Sequence, residues 1–407
     1  MKQLSIFEDV TKTKTELPLV ELFEAYMECR KKKRFTHNAL KFEIDYEHLL
    51  VKLCDEINQG LYQPKPSIAF IVEKPVKREI FAADFRDRIV HHWLVNKLNP
   101  LFEKTFIYDS YACRKNKGTH FGIKRIDRFI RQCSRQYSRD CYILKLDIKG
   151  FFMHIDKNLL MNKLDEFISR KYLDDDKLLV LEICRIIINN NPTQNVIIKG
   201  NKNNWDGLPA DKSLFHSPKN CGLPIGNLTS QVFANFYMND FDHYVKNTLG
   251  IRYYGRYVDD FVIVHENKDF LKTLIPKLSD FLLSKLRLTL HPRKIYLQKY
   301  DKGVKFLGVI IKPFRLYIAN RTKGSFYAAI ERQNEIAGEH RPTKEEQKYF
   351  QSSLNSYLGI MKHYKTYTLR KRMLFKYLSA WWWNHVSLKG GYLKFVLKER
   401  MCNGNRK

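Results

Sequence analysis

No Cys-x-x-Cys pair occurs among the eight cysteines, and none of them sits with histidine at zinc-ligand spacing. They stand at positions 29, 54, 113, 133, 141, 184, 221 and 402. That scatter excludes a disulfide framework and a structural zinc, and it predicts reduced thiols in a cytoplasmic protein. No apolar run approaches the roughly 18 to 20 residues a transmembrane helix needs, and the first residues lack a signal-peptide pattern. No membrane partner is therefore expected. Internal repeats and long low-complexity tracts are also missing, and the thirteen histidines are dispersed, His91-His92 reading as a helix feature. The shortage with most consequence is of acid: 43 Asp and Glu stand against 72 Lys and Arg, leaving +29 over 407 residues. Such a field attracts polyanions, of which nucleic acid is the commonest. Ribosome-like proteins are usually shorter and poorer in aromatics. Here 44% hydrophobic and 14% aromatic residues can build a large core in two or three subdomains.

Residues 19 to 60 have helical, amphipathic patterning, interrupted by the basic run Lys31 to Arg34. Between Tyr62 and Lys117, strand-like pieces (Ser67 to Glu73, Glu79 to Ala83) alternate with bases. Aromatics at Tyr62, Phe70, Phe81, Phe85 and Tyr111 are interleaved with them, as a surface gripping a strand and its bases would require. Cys141 to Asp147 alternates with period two and predicts a strand ending on Asp147. Residues 158 to 188 read as helix, and the polar, Asn/Lys-rich stretch from Asn189 to Asn220 as a loop or small insertion. A Gly/Pro turn then feeds a helix carrying Leu228, Val232, Phe233, Phe236 and Tyr237. Leu271 to Leu282 forms another helical stripe, with Pro276 as a bend. Lys305 to Ile311 reads as a short strand, and the basic tail from about Lys312 as helical, with Trp381 to Trp383 packed against neighbours.

The chemistry concentrates at Arg256-Tyr-Val-Asp-Asp-Phe-Val-Ile-Val-His265. Adjacent acids are poor strand formers, while the β-branched and aromatic residues around them favour strands. The compromise is a hairpin with Asp259 and Asp260 at its turn. Acid pairs at hairpins are ordinarily plain turn chemistry. With Asp147 on a neighbouring strand, however, three carboxylates would share one coordination sphere of hard oxygen ligands suited to Mg2+. Two such ions can activate a 3′ hydroxyl and steady a leaving pyrophosphate.

In order along residues 62 to 380, these motifs resemble the reverse transcriptases. Tyr257-Val-Asp-Asp260 looks like their metal hairpin, and Leu146-Asp147-Ile-Lys-Gly-Phe-Phe152 like the motif bearing the first catalytic aspartate. His291-Pro-Arg-Lys294 followed by Lys305-Phe-Leu-Gly308 resembles the two motifs closing the palm. The resemblance implies an α+β right-hand polymerase fold. An N-terminal helical extension (1–60) would precede fingers (61–140), a palm (141–312) with the polar insertion near 189–220, and a helical thumb with basic tail (313–407). It implies that Asp147, Asp259 and Asp260 hold two Mg2+ ions, with Mn2+ able to substitute. Phe152 would be a steric gate against a ribose 2′-OH, and Lys294 a proton donor near the pyrophosphate. Lys74 and Arg78 would clamp the triphosphate from the fingers. Ile225 and Gly226 would line the dNTP pocket, and Gln231, Tyr257, Arg114 and Gly308 would touch template or primer.

Most reverse transcriptases carry Gln before the glycine of Leu223-Pro-Ile-Gly-Asn-Leu-Thr-Ser-Gln231 and Pro at its end. Ile225 and Gln231 depart from both. With Leu208-Pro-Ala-Asp-Lys-Ser-Leu-Phe215 and Ser356-Tyr-Leu-Gly359, that variant is similar to the enzymes of diversity-generating retroelements, and bacterial antiphage-defence reverse transcriptases are close alternatives. A catalytically silent RNA-binding relative and an RNA-dependent RNA polymerase are the other readings. The three acids oppose the first and Phe152 the second. About 25 residues after the thumb-like helices leave no room for an RNase H or integrase domain. The expected partners are template RNA, the RNA/cDNA duplex, dNTPs, and a small basic accessory protein or a second copy of the chain. The resemblance implies a cytoplasmic enzyme, encoded by a bacterium or phage.

Overall fold

The computed structural model describes residues 16–31, 35–73 and 76–398. In chain order the elements are α1 (Leu19–Arg30), α2 (His37–Glu43), α3 (Tyr46–Asn58), β1 (Ser67–Val72), β2 (Arg78–Ala82), α4 (Phe85–Thr105), α5 (Thr119–Cys133) and β3 (Tyr142–Asp147). There follow α6 (Phe151–His154), α7 (Lys157–Lys171), α8 (Lys177–Asn189), β4 (Val196–Ile198), α9 (Leu228–Tyr237), α10 (Asn239–His243), β5 (Tyr253–Tyr257), β6 (Asp260–His265) and α11 (Lys268–Leu286). The remainder comprises β7 (Tyr296–Lys299), β8 (Val304–Phe306), β9 (Val309–Lys312), β10 (Arg315–Ile318), α12 (Asn320–Glu339), α13 (Lys344–Met361), α14 (Tyr367–Tyr377), α15 (Ala380–His385), β11 (Val386–Lys389) and β12 (Lys394–Leu397). The architecture is α+β, with largely antiparallel sheets flanked by helices. Among the described residues no helix is long and apolar enough to cross a membrane.

Two compact units interleave along the chain. The described residues of one fall within 1–118, 146–263 and 269–295, and those of the other within 119–145, 264–268 and 296–407. The first is organised around α4. Asp84 caps this helix by accepting from the Arg86 amide at 3.0 Å, and Ile89, Val90, Trp93, Leu94, Leu98 and Phe102 are buried on it. It packs on α1 and α9. In the second unit Phe326, Ile330, Phe350, Leu354, Leu358, Met361, Trp382 and Phe395 form one buried cluster. Trp382 donates its indole N–H to the Gln333 carbonyl at 3.0 Å. The tryptophan run is thus anchored in a core, as its helical spacing predicts.

Several elements differ from the sequence expectation. Most of the aromatics interleaved with bases are not on a stacking surface: Tyr62, Phe81, Phe85 and Tyr111 are each at most 2% exposed, and Phe70 is partly buried. The first four fill the core because their apolar area outweighs what a solvated platform could recover. The stretch Asn189 to Asn220 is not only loop, since β4 runs parallel to β1 (Ser67 opposite Val196) and completes the sheet β2-β1-β4. Lys305 to Ile311 is two strands, β8 and β9, because Leu307 and Gly308 both adopt positive φ and reverse the chain. The tail adds β10 and the β11–β12 hairpin to its helices. Asp147 ends β3 as predicted.

Candidate active site

The hairpin β5–β6 turns at Val258 and Asp259, with Asp260 already the first residue of β6. The turn is therefore one residue earlier than the acid pair alone predicts. Val258 has φ +57°, a left-handed conformation costly for a β-branched residue. Arg256 offsets the cost. Its Nη1 donates to the Val258 carbonyl at 2.9 Å, while Nε and Nη2 reach the two carboxylate oxygens of Asp242 at 2.8 and 2.6 Å. Tyr254 Oη donates to the same carboxylate at 2.6 Å. Arg256 and Asp242 are both fully buried. Burial disfavours the guanidinium charge, but the Asp242 carboxylate outweighs it and leaves Arg256 even more firmly protonated than usual. The strand is also fixed by its backbone: Arg256 N donates to Asp109 O and Tyr111 N to Arg256 O, each at 2.9 Å. Gly255 lies so close to the Tyr111 ring that a Cβ would collide with it. Sequence reasoning missed Asp242 and Arg256. The available signal was a guanidinium inside an apolar strand, where an unpaired charge is untenable.

Asp147 is held from the other side. The His291 amide donates to its carbonyl at 2.8 Å, and Lys294 Nζ reaches Oδ1 at 2.7 Å. Lys294 is presented by the turn Pro292–Lys294. Asp259 lies close enough to feel Asp147, Asp260 and Lys294 together. Burial and, after it, the two neighbouring carboxylates push its pKa up to about 7, and Lys294 opposes the rise. Burial is the larger cause, and the neighbouring carboxylates add to it. A divalent ion with hard oxygen ligands fits that donor chemistry. Among the described residues, however, no three Asp, Glu, His or Cys side chains already converge as a ligand set.

A second cluster lies in the same unit. Gly150 (φ +53°) turns the chain into α6, and Phe152 packs against a buried cluster formed by Ala69, Phe81, Met153 and Leu214, as does Ile225. The loop before α9 is pinned at both ends, Leu223 N donating to Phe152 O and Phe81 N to Ile225 O, each at 2.8 Å. Gly226 has φ +131°, and a Cβ there would stand 2.9 Å from both the Ile80 side chain and the Phe81 carbonyl. Only glycine permits this approach.

The other predicted site residues fall as follows. Arg78 is exposed at the start of β2 and acts electrostatically on Tyr257, whose proton affinity is raised by burial and lowered by Arg78. Gln231 accepts from the Cys113 thiol at 2.9 Å. Arg114 lies in the loop that follows α4. Its side chain is 5% exposed, paired with Glu103 and donating to the carbonyls of Ile107 and Ser110. These contacts brace the loop between α4 and α5. Gly308 belongs to the second compact unit, at the β8–β9 turn. Lys74 lies outside the described residues.

Residues 64–311 match the family described as reverse transcriptase (RNA-dependent DNA polymerase). The chain is 23% identical over 293 residues to Protein YkfC of Escherichia coli, covering 63% of this chain and 69% of that one. It is 22% identical over 303 residues to the COX1/OXI3 intron 2 protein of Saccharomyces cerevisiae, covering 65% of this chain but only 34% of the yeast protein. Among solved structures it is similar to telomerase from Candida tropicalis in complex with a fragment of telomeric RNA. That similarity has a TM-score of 0.46 at 12% identity, over 81% of this chain and 58% of that one.

Proposed function

The chain belongs to the reverse transcriptase family, and from that premise we propose that it makes cDNA on an RNA template by nucleotidyl transfer. Asp147, Asp259 and Asp260 would hold divalent cations, which supply Lewis acidity toward the 3′ hydroxyl and the triphosphate. The observation that carries the reading is the placing of Asp147 at the end of β3 and of Asp259 and Asp260 at the tip of the β5–β6 hairpin, with Lys294 Nζ 2.7 Å from Asp147; burial, and after it Asp147 and Asp260, raise the Asp259 pKa. The chain's own residues do the rest. Lys294 donates a proton to the leaving pyrophosphate, Arg78 binds the triphosphate, and Phe152 excludes the ribose 2′-OH. The net charge of +29 draws the RNA template and the RNA/cDNA duplex. Purified protein given an annealed RNA template–primer and Mg2+ should extend with dNTPs and not with NTPs. A protein that extends with neither is no polymerase, and one that prefers NTPs is an RNA polymerase.

Within that activity the reading favoured is error-prone copying in a diversity-generating retroelement. Its support is Ile225, which packs in the apolar cluster with Phe152 and offers no polar group to an incoming nucleotide. Base selection would then rest on packing, which discriminates weakly between similar shapes, where a polar contact discriminates strongly. Ile225→Gln is expected to lower misincorporation roughly tenfold, the scale of one added polar discriminator. Sequencing of extension products reads this directly, and an unchanged error spectrum counts against the reading.

A further inference from the structure

The motif Leu208-Pro-Ala-Asp-Lys-Ser-Leu-Phe215 has no part in the chemistry described so far, yet it is not a solvated loop. Glu79, in β2, is 1% exposed. Its carboxylate accepts from Trp205 Nε1 at 2.7 Å, Ser213 Oγ at 2.7 Å and the Leu214 amide at 2.5 Å. All three donors come from the polar insertion. A buried carboxylate is tolerable only with several charge-assisted hydrogen bonds of this kind, so the strand and the insertion depend on each other. Further ties run beside it: Lys199 N donates to the Ala69 carbonyl at 2.9 Å, and Lys77 Nζ to the Asp206 carbonyl at 2.7 Å.

The latch has a target. Leu214 is buried in the cluster that Phe152 and Ile225 pack against, and the Phe215 ring lies 5.3 Å from that of Phe81 in the same cluster. A Cβ on Gly150 would stand 2.8 Å from the Asp211 carbonyl, so the insertion's backbone presses on the very turn that aims Phe152.

We propose that the insertion, latched by Glu79, is a wall of the nucleotide pocket and that Leu214 sets how far Phe152 can retreat from the sugar of the incoming nucleotide. This rests on the polymerase reading and deepens it. Leu214 acts through Phe152, and Glu79 through Leu214, so both are positioning residues. Shortening Leu214 opens space behind the Phe152 ring, which then yields to a 2′-OH. Glu79→Gln replaces one acceptor oxygen by an amide that faces N–H donors, so the latch loosens.

The test is the ratio of kcat/KM for a dNTP to that for the matching NTP, measured by primer extension with the full chain. Wild type should favour the dNTP. Leu214→Val and Glu79→Gln should each lower the ratio by roughly tenfold, the scale of one lost contact in a specificity pocket, with dNTP incorporation retained. Lys202→Ala, exposed in the same insertion, should leave the ratio unchanged. A merely destabilised protein loses both rates in proportion, so the ratio separates positioning from damage. If both variants keep the wild-type ratio, the proposal is overturned. Should Glu79→Gln fail to fold, Leu214→Val decides alone. Absence of extension by wild type with either substrate overturns the polymerase reading instead.

Discussion

Asp259→Asn should abolish primer extension while leaving a protein that is folded and no less stable than wild type. The loss of rate follows from the charge removed. If the carboxylates hold cations that steady the transferring phosphate, deleting one costs several kcal/mol of transition-state stabilisation, on the order of a thousandfold or more in kcat. Retained stability follows from the pKa. Folding raises the Asp259 pKa to about 7 because burial and Asp147 disfavour the charge, whereas the unfolded chain ionises near the ordinary carboxylate value. The folded state therefore binds this proton more tightly, and stability falls as pH rises from about 4 to about 7. Asparagine carries no charge and escapes that penalty. Thermal unfolding at pH 8 without divalent cations should give the variant a Tm equal to or above wild type, beside an extension rate near background. A variant that unfolds early would show that Asp259 is structural, and one that extends DNA normally would remove it from the chemistry.

How much of this was legible in the sequence varies by the range of the interaction. Asp147 at a strand end could be read from period-two alternation over six residues, because the pattern and its cause are local. The acid hairpin was legible too, but the turn came one residue early. Val258 takes the left-handed φ that propensity assigns to the acids, because Arg256 caps its carbonyl from inside the core. Tyr62, Phe81, Phe85 and Tyr111 fill the core and not a platform, since composition cannot say which face of a strand or helix is covered. Glu79 was invisible for a related reason: its three donors lie at positions 205, 213 and 214, more than a hundred residues away, in a stretch whose polarity looks like solvent exposure. The polarity there is partly internal, and β4 turns a nominal loop into part of a sheet.

The ion pair Arg256–Asp242 carries the other large effect. Breaking a fully buried pair from one side leaves an uncompensated charge, and Asp242→Asn or Arg256→Met should each cost about 3 to 5 kcal/mol of stability, read by chemical denaturation. The informative variant is the double one, Arg256→Met with Asp242→Leu. Replacing both charges by apolar groups of similar volume is often neutral or stabilising for a buried pair, so much of the lost stability should return. Activity should not return with it, because no group then donates to the Val258 carbonyl, and the turn that presents Asp259 relaxes toward a less strained φ. Loss of orientation at a catalytic group is expected to cost roughly a hundredfold in rate. Arg256→Lys separates the two roles from the opposite direction. It keeps a charge for Asp242 but lacks the fork needed to hold Asp242 and Val258 together, so stability should fall less than in Arg256→Met while activity falls about as far as in the double variant. Full extension activity in the stable double variant would mean that the pair merely fills the core, and that the hairpin tip keeps its shape without it.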